Sequence, residues 1–380
     1  LLFILLGFII PHSYNTKYDR QNNVPEKPQA TPVTRPVTDS LDIKIGQMII
    51  FGFYGTKIDK NEPVYKAVKE GKVGSILIYG RNITTQQTAF TLKTLIDGFQ
   101  KAASIPLFVS IDQEGGLVNR LPQSLGFPSM PSAFFLGTKN DPAITKYYSD
   151  NIAFTLSRLG INLNYAPVLD LHNPNCPVLG ARQRCFSDNP LMVTDHASIV
   201  ISSHDYFKVH TVLKHFPGHG NSTTDSHLGV TDVTATWKWE ELMPYAALIR
   251  DNKADAIMTA HIVNGRLDKS KRPATLSKPV ITGLLRDSLG FKGVIFSDDM
   301  QMQAISSQYG LTESIQLAID AGVDVLMFSN NIKGVPAYSP ANVHHIIKQL
   351  VIKGKISPER IDASFRRIMG MKDKWRLADL

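Results

Sequence analysis

Val212-Leu213-Lys214-His215-Phe216-Pro217-Gly218-His219-Gly220-Asn221-Ser222-Thr223-Thr224-Asp225-Ser226-His227 begins as a strand and ends as a polar loop. Val212-Leu213 reads as the end of a short buried strand, and Pro217, Gly218 and Gly220 forbid a regular continuation. A strand thus delivers charged side chains to its own end. In the loop, Asp225 and His227 stand two residues apart, a spacing at which a carboxylate orients and charge-stabilises an imidazole. Taken alone, the same pair also reads as a turn cap and a surface histidine.

Outward from that stretch, short apolar runs alternate with longer amphipathic segments, the pattern of repeated βα units around a parallel sheet. Eight runs read as strands: residues 47–53, 74–79, 106–111, 163–169, 211–213, 254–259, 293–297 and 324–328. Helical pattern fills residues 87–102, 143–159, 195–209, 238–252 and 311–321, and one or two closing helices fit 357–375. The expected fold class is α/β, a single (β/α)8 TIM-type barrel with extended βα loops over residues 41–380. An open doubly wound sheet is the alternative. A barrel collects its active site at the C-terminal ends of many strands, and the unusual polar residues fall there.

The third run ends in Ile111-Asp112-Gln113-Glu114-Gly115-Gly116, with Asn119 and Arg120 shortly after; the Gly-Gly pair allows backbone to approach a ligand closely. The fourth ends in Ala166-Pro167-Val168-Leu169-Asp170, and Arg182 and Arg184 lie in the loop behind it. The sixth ends in Met258-Thr259-Ala260-His261 and the seventh in Ile295-Phe296-Ser297-Asp298-Asp299-Met300. With the opening stretch, these segments resemble the patterns of bacterial β-N-acetylglucosaminidases in glycoside hydrolase family 3: K-H-F-P-G-H-G-x-x-x-x-D-S-H, D-Q-E-G-G-x-V-x-R, A-P-V-L-D, M-x-A-H and S-D-D. The resemblance runs from Asp42 to Trp375 and includes Pro273-Ala274-Thr275-Leu276-Ser277.

The resemblance implies a retaining exo-β-N-acetylglucosaminidase acting on GlcNAc-containing glycans, with muropeptides of N-acetylglucosamine and anhydro-N-acetylmuramic acid as natural substrates. Retention needs one group to attack the anomeric carbon and another to protonate the leaving oxygen. The resemblance places the first role on Asp298, the first Asp of S-D-D. By itself an Asp-Asp at a strand end reads as well as a helix cap or a metal ligand. Asp299 is expected to do the capping. The second role falls on His227 and Asp225, a mobile dyad in place of a carboxylic acid. An imidazole with an ordinary pKa of about 6.5 suits donation followed by acceptance. Asp225 would hold its tautomer and stabilise the imidazolium.

With no anionic base in the acceptor site, phosphate can replace water, so a phosphorylase is the nearest alternative, beside a β-glucosidase. A non-catalytic cell-wall glycan-binding protein is the distant one. Asp112, Arg120, Arg184, Lys214 and His215 match sugar-binding positions of the family, or else form a structural ion-pair network at the barrel mouth. Gly180-Ala181-Arg182-Gln183-Arg184-Cys185-Phe186-Ser187 is two residues longer than G-x-R-S-F-S, and Arg184 is preferred to Arg182 because it keeps R-x-F-S.

The 380 residues are 43% apolar and 19% charged, sufficient for one large core. A formal charge of +8 favours anionic partners, while the scatter of the basic residues argues against nucleic acid. Residues 1–10 are almost wholly apolar, too short to span a bilayer, and match the core of a secretory signal or the tail of an N-terminal anchor. Residues 12–40 read as a disordered tether. The expectation is a monomer that is exported, or anchored to the membrane through its N-terminal segment, facing the periplasm or cell envelope; a cytoplasmic location is the alternative. Cys176 and Cys185 fit a disulfide in an exported protein and free thiols otherwise. No cofactor or metal is expected. His215 and His219 have H-x-x-x-H spacing, but Pro217 and Gly218 between them argue against a shared helix face. His219 is expected to hold the loop, and His204 and His210 to lie on a helix surface.

Overall fold

The apolar runs are buried on both faces, so they read as continuous rather than alternating. The computed structural model describes residues 40–225, 229–332 and 334–375. Its main sheet consists of β1 (Ile49–Gly52), β2 (Ser75–Ile78), β3 (Phe108–Ile111), β4 (Leu163–Asn164), β5 (His210–Thr211), β6 (Leu213–Phe216), β7 (Ala256–Thr259), β8 (Val294–Asp299) and β9 (Val325–Phe328). Every pairing is parallel, in the order β5-β4-β3-β2-β1-β9-β8-β7-β6. The two edge strands, β5 and β6, are consecutive pieces of one run broken at Val212. The result is an α/β fold around a nearly closed parallel sheet. Beyond β4, the Leu169 N–H reaches the Lys214 carbonyl at 2.7 Å, which carries pairing across the seam.

Helices alternate with these strands and bury one stripe each. Thr88–Ala102 turns Leu92, Leu95, Ile96 and Phe99 inward, the three- and four-residue spacing of an amphipathic helix. Pro142–Leu159 starts on Asp141, whose side chain accepts the Ala143 and Ile144 N–H groups. Leu311–Ala321 matches the range expected from its pattern. At the N-terminal end of the strands, Lys372 of the closing helix Pro358–Asp373 is buried. Its amine donates to Gln47 Oε1 at 2.7 Å, Gly74 O at 2.9 Å and Pro106 O at 2.6 Å. Asp324 sits at the same end and pairs with Arg286, Arg360 and Arg367. A cleft of about 530 Å³ opens there between Asp255, Gly293, Arg367 and Lys374, away from the sequence-selected residues.

Several expectations change. The fourth strand is regular only over Leu163–Asn164, because Pro167 has no N–H to donate to a ladder. The fifth is longer than residues 211–213, running in two pieces from His210 to Phe216. The helix expected over 195–209 is Pro190–Tyr206: Asn189 caps it, and a proline is tolerated in the first turn, where its missing N–H has no helical acceptor. His204 and His210 are therefore not surface residues. His204 is buried with its Nε2 3.0 Å from Asn164 Nδ2. His210 opens β5 inside the core, its ring 5.5 Å from that of Phe108 and 3.9 Å from that of Trp375. Burial pushes the two imidazoles down to about 4 and about 3, so both are neutral at pH 7.

Cys176 and Cys185 are buried free thiols. Residues 1–39, which hold the apolar segment and tether, lie outside the described residues, as does His227. Among the described residues, no helix is long and apolar enough to cross a membrane. Lys372→Met should lower stability by about 1–3 kcal/mol, since it leaves the Pro106 carbonyl and the Gln47 amide oxygen without that donor. Urea unfolding would show a lower midpoint at unchanged slope.

Candidate active site

A parallel sheet sends the polar residues at its strand ends to one side. Tyr79 follows β2, Asp112 and Glu114 follow β3, Asp170 lies beyond β4, Lys214 and His215 lie within β6, His261 follows β7, and Asp298 and Asp299 finish β8.

Glu114 is the hub of the first cluster. Its carboxylate accepts from Arg184 Nε at 2.9 Å and Nη2 at 2.8 Å, a two-point pairing, and lies 2.7 Å from Lys214 Nζ. Lys214 also donates to Asp112 Oδ1 at 2.8 Å, and Arg120 Nη2 stands 3.9 Å from Asp112 Oδ2. Side-chain exposure rises from 2% at Lys214 through 5% at Glu114, 12% at Arg184 and 19% at Asp112 to 30% at Arg120. Asp112 and Arg120 are thus open to a ligand, and the others form a buried base. Arg120 lies over the Tyr79 ring at 5.4 Å, and its buried Nε has no hydrogen-bond partner among the described residues. Burial pushes the Glu114 carboxyl up, but Arg184 and Lys214 outweigh it and hold the group well below the usual carboxylate range. Lys214 is pulled down by burial and lifted further by Asp112 and Glu114, so it remains an ammonium.

Asp170 organises the second cluster. Its Oδ2 accepts from His215 Nδ1 at 2.7 Å, and its Oδ1 from the His219 backbone N–H at 2.7 Å. Burial raises this carboxyl, and His215 more than reverses the effect. An ionised carboxylate only accepts, so His215 carries its proton on Nδ1 and turns Nε2 towards Arg184 Nη2 at 3.4 Å. His219 places Nδ1 2.8 Å from Ser222 Oγ and so fastens the loop as expected. Both glycines of the loop have a steric reason. A Cβ at Gly218 would stand 2.4 Å from Glu241 Cβ, and one at Gly220 2.1 Å from the Leu171 carbonyl.

The two aspartates of β8 divide by burial. Asp299 is buried; it accepts from the Gln301 N–H at 3.1 Å, the Ser329 N–H at 3.2 Å and the Ser329 hydroxyl. Burial lifts its carboxyl to about 6. It caps a turn and the end of β9 and not the next helix, Gln303–Ser306, whose N-cap position is taken by Met302 without a side-chain hydrogen bond. Asp298 is half-buried, and its Oδ1 accepts the Asp299 N–H at 2.8 Å. Asp225 is half-buried at the far end of the loop.

The structure therefore joins Asp112, Arg120, Arg184, Lys214 and His215 in one neighbourhood. Arg184 enters the cluster, and Arg182 is exposed. The buried base is an ion-pair network, and its outer members lead to the mouth. Glu114, Asp170, Tyr79 and Glu241 were not selected from the sequence. Glu114 and Asp170 stand in D-Q-E-G-G and A-P-V-L-D at strand ends, a usable signal; Tyr79, directly after β2, gave a weaker one. Glu241 had none. Among the described residues, no group of three or more His, Cys, Asp or Glu could hold a metal ion.

Carboxylates and cations gathered at the C-terminal mouth of a nearly closed parallel sheet stand where barrel-type α/β enzymes carry their active sites. Residues 40–371 match the glycosyl hydrolase family 3 N-terminal domain, and the chain belongs to that family of glycoside hydrolases. It is 34% identical to the β-hexosaminidase of Tolumonas auensis over 288 residues, covering 74% of this chain and 83% of that protein. It is 30% identical to β-hexosaminidase A of Pseudoalteromonas piscicida over 321 residues, 80% of this chain but only 53% of that protein. The family 3 β-N-acetylglucosaminidase of Paenibacillus sp. FPU-7 superposes with a TM-score of 0.82 at 33% identity, over 89% of this chain and 63% of that one. The β-N-acetylhexosaminidase of Beutenbergia cavernae superposes with a TM-score of 0.76 at 28% identity, over 88% and 98%.

Glu114→Gln removes the charge that faces two buried cations and should destabilise the fold by about 3–5 kcal/mol. Because the wild-type carboxyl is depressed by folding, the difference should persist above about pH 4 and shrink in stronger acid, as followed by denaturant unfolding across pH.

Proposed function

We propose that this chain is a retaining exo-β-N-acetylglucosaminidase built as a single (β/α)8 barrel with extended loops. The barrel reading is supported by the two edge strands being consecutive pieces of one stretch of chain, which an open doubly wound sheet does not require. The observation that carries the functional reading is the division of labour in Ser297-Asp298-Asp299. Asp299 is buried and committed to capping, and Asp298 stands half-exposed at the strand end beside it.

In this reading Asp298 attacks the anomeric carbon and forms a glycosyl ester. His227 gives its proton to the leaving oxygen and then takes one from the water that cleaves the ester, and Asp225 stabilises the imidazolium that donates in the first step and re-forms in the second. Asp112 and Arg120 bind sugar hydroxyl and acetamido groups, over a base set by Lys214, Arg184 and His215. The unsatisfied Arg120 Nε supports a polar ligand at that point. The names of the relatives support N-acetylhexosamine as the sugar. Peptidoglycan fragments are the proposed natural substrate, and a charge of +8 would draw such anions in. A location facing the cell envelope belongs to the same proposal.

The test is nitrophenol release from the β-N-acetylglucosaminide and the β-glucoside, with and without phosphate. Turnover of the acetamido sugar alone, independent of phosphate and lost in Asp298→Ala, is expected. His227→Ala should lower kcat/KM for N,N′-diacetylchitobiose, whose leaving sugar needs the proton, by about 10²–10⁴-fold, the range for loss of a general acid–base. Phosphate-dependent turnover would make the protein a phosphorylase, and preference for the glucoside would make it a glucosidase. Absence of turnover by the folded protein would refute the exo-glycosidase reading.

A further inference from the structure

The cleft of about 530 Å³ at the N-terminal end of the strands lies away from the catalytic mouth, and its volume is that of a small-molecule site. Phe291, Val294 and Met371 give it apolar walls, and its charged lining is Asp255, Lys292, Arg367 and Lys374. Asp255 and Lys374 are committed to each other: the amine lies 2.5 Å from Asp255 Oδ2 and 3.2 Å from Asp205 Oδ1. Lys292 is exposed, and its side chain has no partner among the described residues. Arg367 belongs to a set that is short of negative charge. Asp324, fully buried, pairs with the three guanidinium groups of Arg286, Arg360 and Arg367. Arg286 also donates to the Phe291 and Gly293 carbonyls, and Arg360 to those of Ile319 and Val323. Arg367 gives Asp324 Oδ1 a single hydrogen bond from Nη1 at 2.9 Å, and it is the member of the set that reaches the cleft. Its Nε and Nη2 have no hydrogen-bond partner among the described residues.

Gly370 makes the same wall accessible. It stands inside the helix Pro358–Asp373, three residues after Arg367 and so on the same face, and it lines the cleft. A glycine inside a helix is less stable than an alanine, and packing does not require one here, since a Cβ would have nothing within 4 Å. Its effect is to leave open space beside a free guanidinium edge. We propose that this cleft binds an organic phosphate monoester, with the phosphoryl group held by Arg367 and Lys292 and the apolar body lying against Phe291, Val294 and Met371. Two uncommitted cations match such a group, which carries about −1.5 to −2 at pH 7. The guanidinium edge offers two parallel N–H donors to two of its oxygens. None of these residues lies at the mouth, so the site is independent of the glycosidase reading.

The test is isothermal titration calorimetry of the full chain with phenyl phosphate as the probe, beside benzyl alcohol, which has the ring without the charge. Wild type should bind phenyl phosphate at one saturable site and benzyl alcohol not at all. Arg367→Gln should weaken binding by about 10–100-fold, the range for loss of charge-assisted hydrogen bonds. Because Arg367 also meets Asp324, two further variants keep the result separate from folding. Lys292→Glu changes an exposed side chain without partners and places a carboxylate in the cleft, so it should abolish binding at an unchanged Tm. Gly370→Ala should raise the Tm, as it replaces a helix-interior glycine in open space, and Gly370→Leu should fill the cleft and abolish binding. Failure of the wild type to bind phenyl phosphate would overturn the proposal. Binding that survives unchanged in both Lys292→Glu and Gly370→Leu would overturn it as well, because the phosphate would then sit elsewhere, the mouth included.

Discussion

Two buried cations must be held under the mouth of this sheet, and Glu114 is the carboxylate that makes this possible. An ammonium and a guanidinium removed from water cost several kcal/mol each unless paired and hydrogen-bonded. Glu114 meets both, taking two hydrogen bonds from Arg184 while standing 2.7 Å from Lys214. The pairing ties the end of β3 to β6 and to the loop around residue 184. Everything nearer the mouth inherits its position from that tie. Asp112 is reached through Lys214, Arg120 through Asp112, and the outward edge of His215 through Arg184.

The carboxyl groups around the mouth then separate by environment. Glu114 and Asp170 face cations or histidine N–H groups and are held ionised. Asp299 and Glu241 are buried with neutral donors for partners, and burial lifts them to about 6 and about 8. One kind of group, the carboxyl, thus supplies fixed charges in two places and titrating groups in two others. Asp298 differs from all four in being only half-buried, at the end of a strand whose next residue already performs the capping.

Where the apolar pattern was strong, the sequence was legible. The eight runs all contain strand, because a parallel strand buried on both faces has no polar residue to interrupt it. Leu311–Ala321 was readable to the residue, since Gly322 stops it in the left-handed region at φ +118°. Prediction failed where local pattern and tertiary placement diverge. His204 and His210 read as surface positions, yet the helix ends at Tyr206 and the chain turns inward, where Asn164 meets one ring and Phe108 with Trp375 the other. Glu241 lies in the 238–252 span read only as helical pattern, and the loop lying across it puts it in the interior.

By itself the sequence determined the βα alternation, the strand ends that carry chemistry and the motifs that mark the family, because hydrophobic period and glycine or proline punctuation are local properties. Only the tertiary structure decided that β5 and β6 form the two edges of one nearly closed sheet, that Arg184 rather than Arg182 enters the ion network, and which carboxyls are charged. Those outcomes depend on distance and burial between segments tens to more than a hundred residues apart, and the linear order of residues does not encode either quantity directly.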